Sequence, residues 1–257
     1  MSDRTREFAT VLEHTSLADS YYCLRLSAPL IAQRCLPGQF VFIRVGEGTQ
    51  PLLRRPISIC DADSQSGELM LLYRTVGSGT ELLSRVPRGA ALDLMGPIGT
   101  PFPEDCTHAV LIAGGMGAAP LHLLARRLHQ ANVPITMYYG AKTEEQLFLC
   151  HSLSSFSSLQ TAVEQDGVTV LSLLPAQLPP QTTVYACGPV AMLHKVQKWA
   201  GQCGAKGFVS LEERLACGIG ACSGCAFPMQ GSNGKTMYKK VCVDGPVFPM
   251  EEVVFDA

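Results

Sequence analysis

Four cysteines near the end of the chain constrain its folding more than any other feature. Cys217, Cys222, Cys225 and Cys242 follow the spacing C-x4-C-x2-C, then sixteen residues, then a fourth C. This is the plant-type spacing of a [2Fe–2S] cluster, whose two irons and two bridging sulfides need four thiolates converging from nearly all sides. Three thiolates come from one tight loop and the fourth from a distant segment, so the fold must bring the two together. Gly218, Gly220 and Gly224 lie between the ligands, where the backbone has to turn sharply and approach the sulfides. The N–H groups freed there can point at the sulfurs and tune the potential. A bulky residue at Gly220 or Gly224 is expected to clash with the cluster. A zinc ion on the same four thiolates is the alternative, although zinc sites more often carry two C-x2-C knuckles and this chain has one.

The other cysteines, Cys23, Cys35, Cys60, Cys106, Cys150, Cys187 and Cys203, are scattered, which makes eleven in all. An odd total, and an N-terminal MSDRTREFATVLEH without an apolar leader, argue against a disulfide framework and for buried apolar thiols. At 257 residues, 47% hydrophobic and 16% charged, the chain is expected to be globular. A net charge of -2 with no basic run gives no footprint for nucleic acid. Apolar stretches such as His108–Gly114 fall far short of the ~20 residues of a spanning helix, so no membrane span is expected and the protein reads as soluble and cytoplasmic.

Residues 1–103 read as short strands punctuated by Gly and Pro: Tyr21–Ser27, Gln39–Val45, Ile57–Cys60, Glu68–Thr75 and Ala91–Gly96, with one short helix around Gly79–Arg85. That grammar predicts an antiparallel barrel or sandwich. From His108 it changes. HAVLIAGG is a strand ending in glycines; PLHLLARRLHQA places Leu121, Leu124 and Leu128 on one helical face; PITMYYGAK and TVYACGP are further strands. Glu144–Ser155 is expected to be helical, as is the segment after Pro189, ended by Gly204. Alternating strand and helix over 104–208 predicts a parallel α/β sheet, and residues 209–257 form a small cysteine-rich domain. The fold class is therefore a β-barrel plus an α/β layer with a C-terminal [2Fe–2S] domain.

Four segments are candidates for nucleotide chemistry. In LLRRPISIC, Arg55, Pro56, Ile57 and Ser58 stand at a strand entrance, where the planar Arg55 fork can pair with a flavin pyrophosphate and Ser58 can reach the ring edge. In LLYRTVGSGTELLS, Leu72, Tyr73 and Arg74 end a strand, and Gly79 and Thr80 open a short helix, where N–H groups favour phosphate. AGGMGAAPL puts Gly114, Gly115 and Gly117 between strand and helix, and Cys187, Gly188 and Pro189 end another strand at the same carboxyl edge, where open α/β sheets bind ligands. The G-x-G-x-x-G spacing is missing, so this is not the standard dinucleotide fingerprint. His108, His122, His129 and His194 read as packing or solvent-facing residues.

Taken in order, R-P-I-S, G-S-G-T, G-G-M-G-A-A-P and C-G-P resemble the ferredoxin–NADP reductase superfamily. With LEERLACGIGACSGC and VCVDGPVF added, the chain is similar to the electron-transfer subunits of class 1B dihydroorotate dehydrogenase over essentially all 257 residues. The resemblance implies FAD held by residues Arg55–Ser58, Leu72–Arg74 and Gly79–Thr80, and cluster ligands at Cys217, Cys222, Cys225 and Cys242. It implies an FMN-containing catalytic subunit as partner in a heterotetramer of two of each, with the cluster at the interface. Electrons from dihydroorotate would pass by cluster and FAD to NAD+, a step of pyrimidine biosynthesis. NAD rather than NADP also comes from the family, and no side chain of this subunit need act as acid or base. Two segments depart from the family pattern: GPIGTPF at Gly96–Phe102 has fewer glycines, and Met116 and Ala118 occupy the nucleotide loop. The same parts also resemble the small subunit of NAD-dependent ferredoxin–NADP reductases and the flavin subunit of sulfhydrogenases. An iron–sulfur redox sensor is the reading from another class, and a sensor has no use for a nucleotide domain.

Overall fold

Alternation of buried and exposed positions builds the first half of the computed structural model, which describes residues 4–46, 48, 50–231 and 234–255. Strands β1 (Thr5–Ala18), β2 (Tyr21–Ser27), β3 (Phe40–Arg44), β4 (Arg55–Asp63), β5 (Glu68–Arg74) and β6 (Ala91–Ile98) close into a barrel of order β1-β2-β5-β4-β3-β6. Every pairing in it is antiparallel. Val41, Ile43, Ile57, Ile59, Leu69, Leu71 and Leu94 fill the interior. Burying each large aliphatic side chain contributes about 1.5–3 kcal/mol. Alternate positions of the same strands point outward and are free for other contacts.

The sequence signals did not include β1. Its inward positions are Glu7, Ala9 and Val11, which do not read as an apolar alternation. Glu7 is buried because its carboxylate accepts the N–H groups of Leu30 and Ile31, both at 3.0 Å, at the start of the short helix α1 (Pro29–Ala32). A second short helix, α2 (Ser78–Leu83), closes the barrel end beyond β5.

In the second half, β7 (His108–Gly114), α3 (Ala118–Gln130), β8 (Ile135–Ala141), α4 (Cys150–Phe156), β9 (Ser158–Val163), β10 (Thr182–Cys187), α5 (Val190–Gln202) and β11 (Lys206–Ser210) follow in turn. A hairpin of β12 (Ala226–Gln230) and β13 (Thr236–Lys240) comes next, and then β14 (Val247–Pro249). The sheet order is β14-β11-β10-β7-β8-β9, parallel throughout except for β14, which runs antiparallel to β11. The C-terminal segment thus returns to the α/β sheet as its edge strand. Both faces of the sheet are covered: Leu111, Ala113 and Tyr185 face α3, and Val110, Ile112 and Val184 face α5.

The expected helix over Glu144–Ser155 is broken into a 3-10 turn at Glu144–Gln146 and α4. Tertiary contacts override propensity there: the Tyr139 hydroxyl donates to the Gln146 carbonyl at 3.0 Å, and the Phe148 ring packs on Tyr21 of the barrel, centroids 5.0 Å apart. Helix α3 shows the expected Leu121, Leu124 and Leu128 face, and adds a second one. Leu123 enters the barrel core, while Arg126 donates to Asp61 at 2.8 Å and to the Ala62 carbonyl at 2.5 Å. The helix is wedged between sheet and barrel. No helix among the described residues is long and apolar enough to cross a membrane.

Candidate functional site

Strand β4 is the middle of the site. Ile57 and Ile59 point into the barrel, so Pro56 and Ser58 face outward and are half-buried. At the strand entrance the Arg55 side chain folds back over α2, and a Cβ added to Gly79 would overlap the Arg55 guanidinium. Two motifs separated by more than twenty residues of sequence are thereby brought into contact. Arg55 also donates to the Leu53 carbonyl at 2.8 Å. The Thr80 hydroxyl accepts the N–H groups of Val76 and Gly77, at 2.9 and 3.3 Å, and donates to the Gly77 carbonyl at 3.0 Å. Its role in the turn is therefore to shape the loop. On β5, Leu72 faces the α/β layer, while Tyr73 turns into the barrel to meet His14 Nε2 at 2.8 Å and to stack on Tyr22. Arg74 is exposed, beside the Tyr21 ring.

At the carboxyl edge of the sheet the two glycine turns pack into one another. Cys187 and Ala113 are register partners, so the turns that follow them must share the same space. A Cβ on Gly117 would overlap the Cys187 carbonyl, and one on Gly114 would lie 2.7 Å from Met192 Sδ and 2.8 Å from Pro189 Cδ. Gly115 has φ +54° with open space beside it. Burial pushes the Cys187 thiol well above the ordinary range. Leu72 of the barrel, Ala113, Ala118 and Cys187 belong to one apolar cluster, which seats these turns against β5.

The cysteine loop lies on the other side of the barrel. A Cβ on Gly218, whose φ is +68°, would overlap the Phe42 ring of β3, so this glycine is demanded both by backbone and by contact. At Gly220 the φ of +81° and Val243 at 3.2 Å oppose a side chain. At Gly224 the protein itself offers only ordinary contact, Cys222 Sγ at 3.5 Å. N–H groups do point at sulfur: those of Ile219, Cys222 and Ala221 hold the Cys217 thiol down to about 6, the Cys222 N–H at 3.4 Å. Gly224 N–H lies 3.5 Å from Cys222 Sγ. Burial, and then the neighbouring Cys225 thiol, push Cys242 up to about 11.

Cys217 lies beside Cys222, whose N–H it accepts, and Cys242 feels both Cys225 and Cys217. Among the described residues no three His, Cys, Asp or Glu side chains group closely enough to hold a single metal ion. Four thiols so placed, with N–H groups aimed at sulfur, fit a [2Fe–2S] core. Cys217 and Cys222 are on the outside, with Cys222 exposed, and Cys225 and Cys242 are buried.

The GPIGTPF departure has a structural reason. Gly99 would overlap Pro246 if it carried a Cβ, Thr100 N–H donates to the Gly245 carbonyl at 2.6 Å, and the Thr100 hydroxyl donates to the Val247 carbonyl at 3.0 Å. The segment is the seam between the barrel and the strand that follows the fourth cysteine. Just past β11, at the carboxyl edge, desolvation pushes the Glu212 carboxyl up while the Arg74 charge opposes this.

Residues 9–102 match the family model of the oxidoreductase FAD-binding domain, and residues 212–254 that of the iron–sulfur cluster binding domain of dihydroorotate dehydrogenase B. The dihydroorotate dehydrogenase B (NAD(+)) electron transfer subunit of Geobacillus thermodenitrificans (strain NG80-2) is 38% identical over 258 residues, covering 97% of this chain and 98% of that one. The subunit of the same description from Bacillus mycoides (strain KBAB4) is 38% identical over 253 residues, covering 95% and 96%. A solved NADH-dependent reduced ferredoxin–NADP oxidoreductase, studied for flavin-based electron bifurcation, superimposes with a TM-score of 0.82 at 26% identity, covering 97% of this chain and 91% of that one.

Proposed function

The chain belongs to the family of dihydroorotate dehydrogenase B (NAD(+)) electron transfer subunits, and from that premise we propose that it carries electrons from an FMN-containing catalytic subunit, which oxidises dihydroorotate, to NAD+. Its resident cofactors are FAD and a [2Fe–2S] cluster. When bound, the cluster supplies single-electron transfer, and the flavin turns single electrons into the hydride that NAD+ accepts.

Arg55, Pro56, Ile57 and Ser58, with Leu72–Arg74 and Gly79–Thr80, hold the FAD. Cys217, Cys222, Cys225 and Cys242 hold the cluster. Gly114, Gly115 and Gly117, with Cys187, Gly188 and Pro189, receive the nicotinamide dinucleotide. Labour divides along the chain as 1–103 for flavin, 104–208 for nucleotide and 209–257 for cluster, in a cytoplasmic heterotetramer of two subunits of each kind. One observation carries this reading. Phe42, against which the cysteine loop packs, is the register partner of Pro56, while Leu72 on the strand at the other side of β4 packs with the nucleotide turns. The flavin strand therefore stands between cluster loop and nucleotide edge, the order an electron would need.

Co-expression with the catalytic subunit tests it. The complex should form NADH from NAD+ on addition of dihydroorotate, and should lose this with Cys222→Ser. A complex that ignores dihydroorotate but exchanges electrons with reduced ferredoxin would instead establish the second reading, a flavin and iron–sulfur subunit of a ferredoxin–NADP reductase, which the 0.82 structural match favours.

A further inference from the structure

Two cations reach the outer side of the cysteine loop from separate parts of the chain. Arg4, just ahead of β1, donates from Nη1 to the Gly218 carbonyl at 3.3 Å. Lys240, the last residue of β13, donates from Nζ to the Gly220 carbonyl at 2.5 Å. Both carbonyls lie in the loop between Cys217 and Cys222, whose own N–H donates to the Cys217 sulfur at 3.4 Å.

Two positive charges are therefore fixed on the loop that carries Cys217 and Cys222. Gly218 is buried and Gly220 half-buried, so each carbonyl needs a donor, and a cation rather than a neutral group supplies it. The nearby Asp244 carboxylate takes the Lys240 backbone N–H at 2.7 Å, while the Lys240 ammonium goes to the loop.

The electrostatics have a definite sign. A [2Fe–2S] core on four thiolates is anionic in both states and gains one further negative charge on reduction. Donors and positive charge fixed beside the sulfurs stabilise the reduced form more than the oxidised form, and so raise the potential. We propose that Arg4 and Lys240 are redox-tuning residues, which raise the reduction potential of the cluster by holding their positive charges on the Gly218 and Gly220 carbonyls, in the loop between Cys217 and Cys222. This rests on the assignment of the four cysteines to a [2Fe–2S] cluster.

The test is a dye-mediated redox titration of the full chain, followed by visible absorbance, for wild type, Arg4→Met, Lys240→Met, the double variant, Arg4→Lys and Lys240→Arg. Lys240→Met should lower the ratio of reduced to oxidised cluster at fixed potential about tenfold, equivalent to roughly 59 mV for one electron. Arg4→Met should lower it less, given its longer contact, and the double variant more than either. The two conservative variants should return most of the loss, and iron and sulfide content should stay at the wild-type level. Unchanged midpoints in both Met variants overturn the proposal. So does an equal fall in Lys240→Met and Lys240→Arg, or a cluster that fails to assemble in both Met variants while the flavin domain stays folded. A wild-type chain without a [2Fe–2S] spectrum would sink the functional reading itself, an outcome separate from all of these.

Discussion

Gly79 shows how one missing side chain can serve a distant one. The Arg55 guanidinium occupies the space where a Gly79 Cβ would be, and the conflict is with the far end of a flexible side chain rather than with backbone. Gly79→Ala should therefore cost little stability, because Arg55 swings away. It should loosen the flavin instead, since a displaced fork no longer offers two parallel donors to a phosphate. We expect about tenfold weaker FAD retention, measured by fluorescence of released flavin on dilution, with an unfolding midpoint close to wild type. A large fall in the midpoint with FAD affinity unchanged would contradict this. Tyr73 and Thr80 make the complementary point: both sit in flavin motifs, yet their hydroxyls are engaged with His14 and with the Gly77 turn. Their strings were legible in the sequence, but the direction of each side chain was not.

Between elements, the tightest constraint is where the turn after β7 meets the turn after β10. Gly117 has backbone as its neighbour, the Cys187 carbonyl, which has no rotamer to relieve a clash. Gly117→Ala should force the two turns apart, at about 1–3 kcal/mol of stability, and should raise the KM for NADH more than it lowers the maximal rate of flavin reduction. A second joint ties β1 and β6 to the segment before β4. Asp93 accepts Arg6 Nε and Nη2 at 3.0 and 2.9 Å, and Arg54 Nη2 at 2.7 Å. Burial works against its ionisation, but the bonds from Arg6 and Arg54 outweigh this and hold the carboxyl below its ordinary value of 3.8. Because the folded value is the lower one, the stabilisation is complete above the unfolded value and is lost as pH falls through the folded one. Asp93→Asn should lower stability near neutrality by about 1 kcal/mol, the exposed Arg6 being screened. It should also flatten the acid limb of a denaturation profile between about pH 5 and pH 2, around the carboxylate range. An acid limb as steep as wild type would refute the assignment.

Across the whole molecule, the loop that carries Cys217 and Cys222 is also the part that turns outward. Cys222 is exposed, and Ile219 next to it is 57% exposed. An apolar residue displayed beside a redox loop suits a protein partner. Ile219→Ser should weaken association with the catalytic subunit by about 1–2 kcal/mol, roughly 5- to 30-fold in Kd, with iron content unchanged. Equal affinity, measured by titration calorimetry, would place the partner elsewhere on the surface.

What the sequence determined by itself was chemistry that depends on spacing. Cysteines at C-x4-C-x2-C, glycines between them, and glycine turns at strand ends are local statements, because a loop of that length can meet a cluster or a phosphate only in a few ways. Much of the antiparallel barrel and the parallel sheet was also legible, from short strands between turn residues and from continuous apolar runs alternating with helices, although β1, with Glu7 facing inward, was not. What tertiary structure alone decided were relations between segments far apart in the chain. Arg4 lies beside Gly218, Arg55 over Gly79, Gly99 against Pro246, and β14 on β11. No periodicity encodes such contacts. They follow from where barrel closure and sheet order place each strand end, and they set which side chains turn toward a cofactor and which turn away.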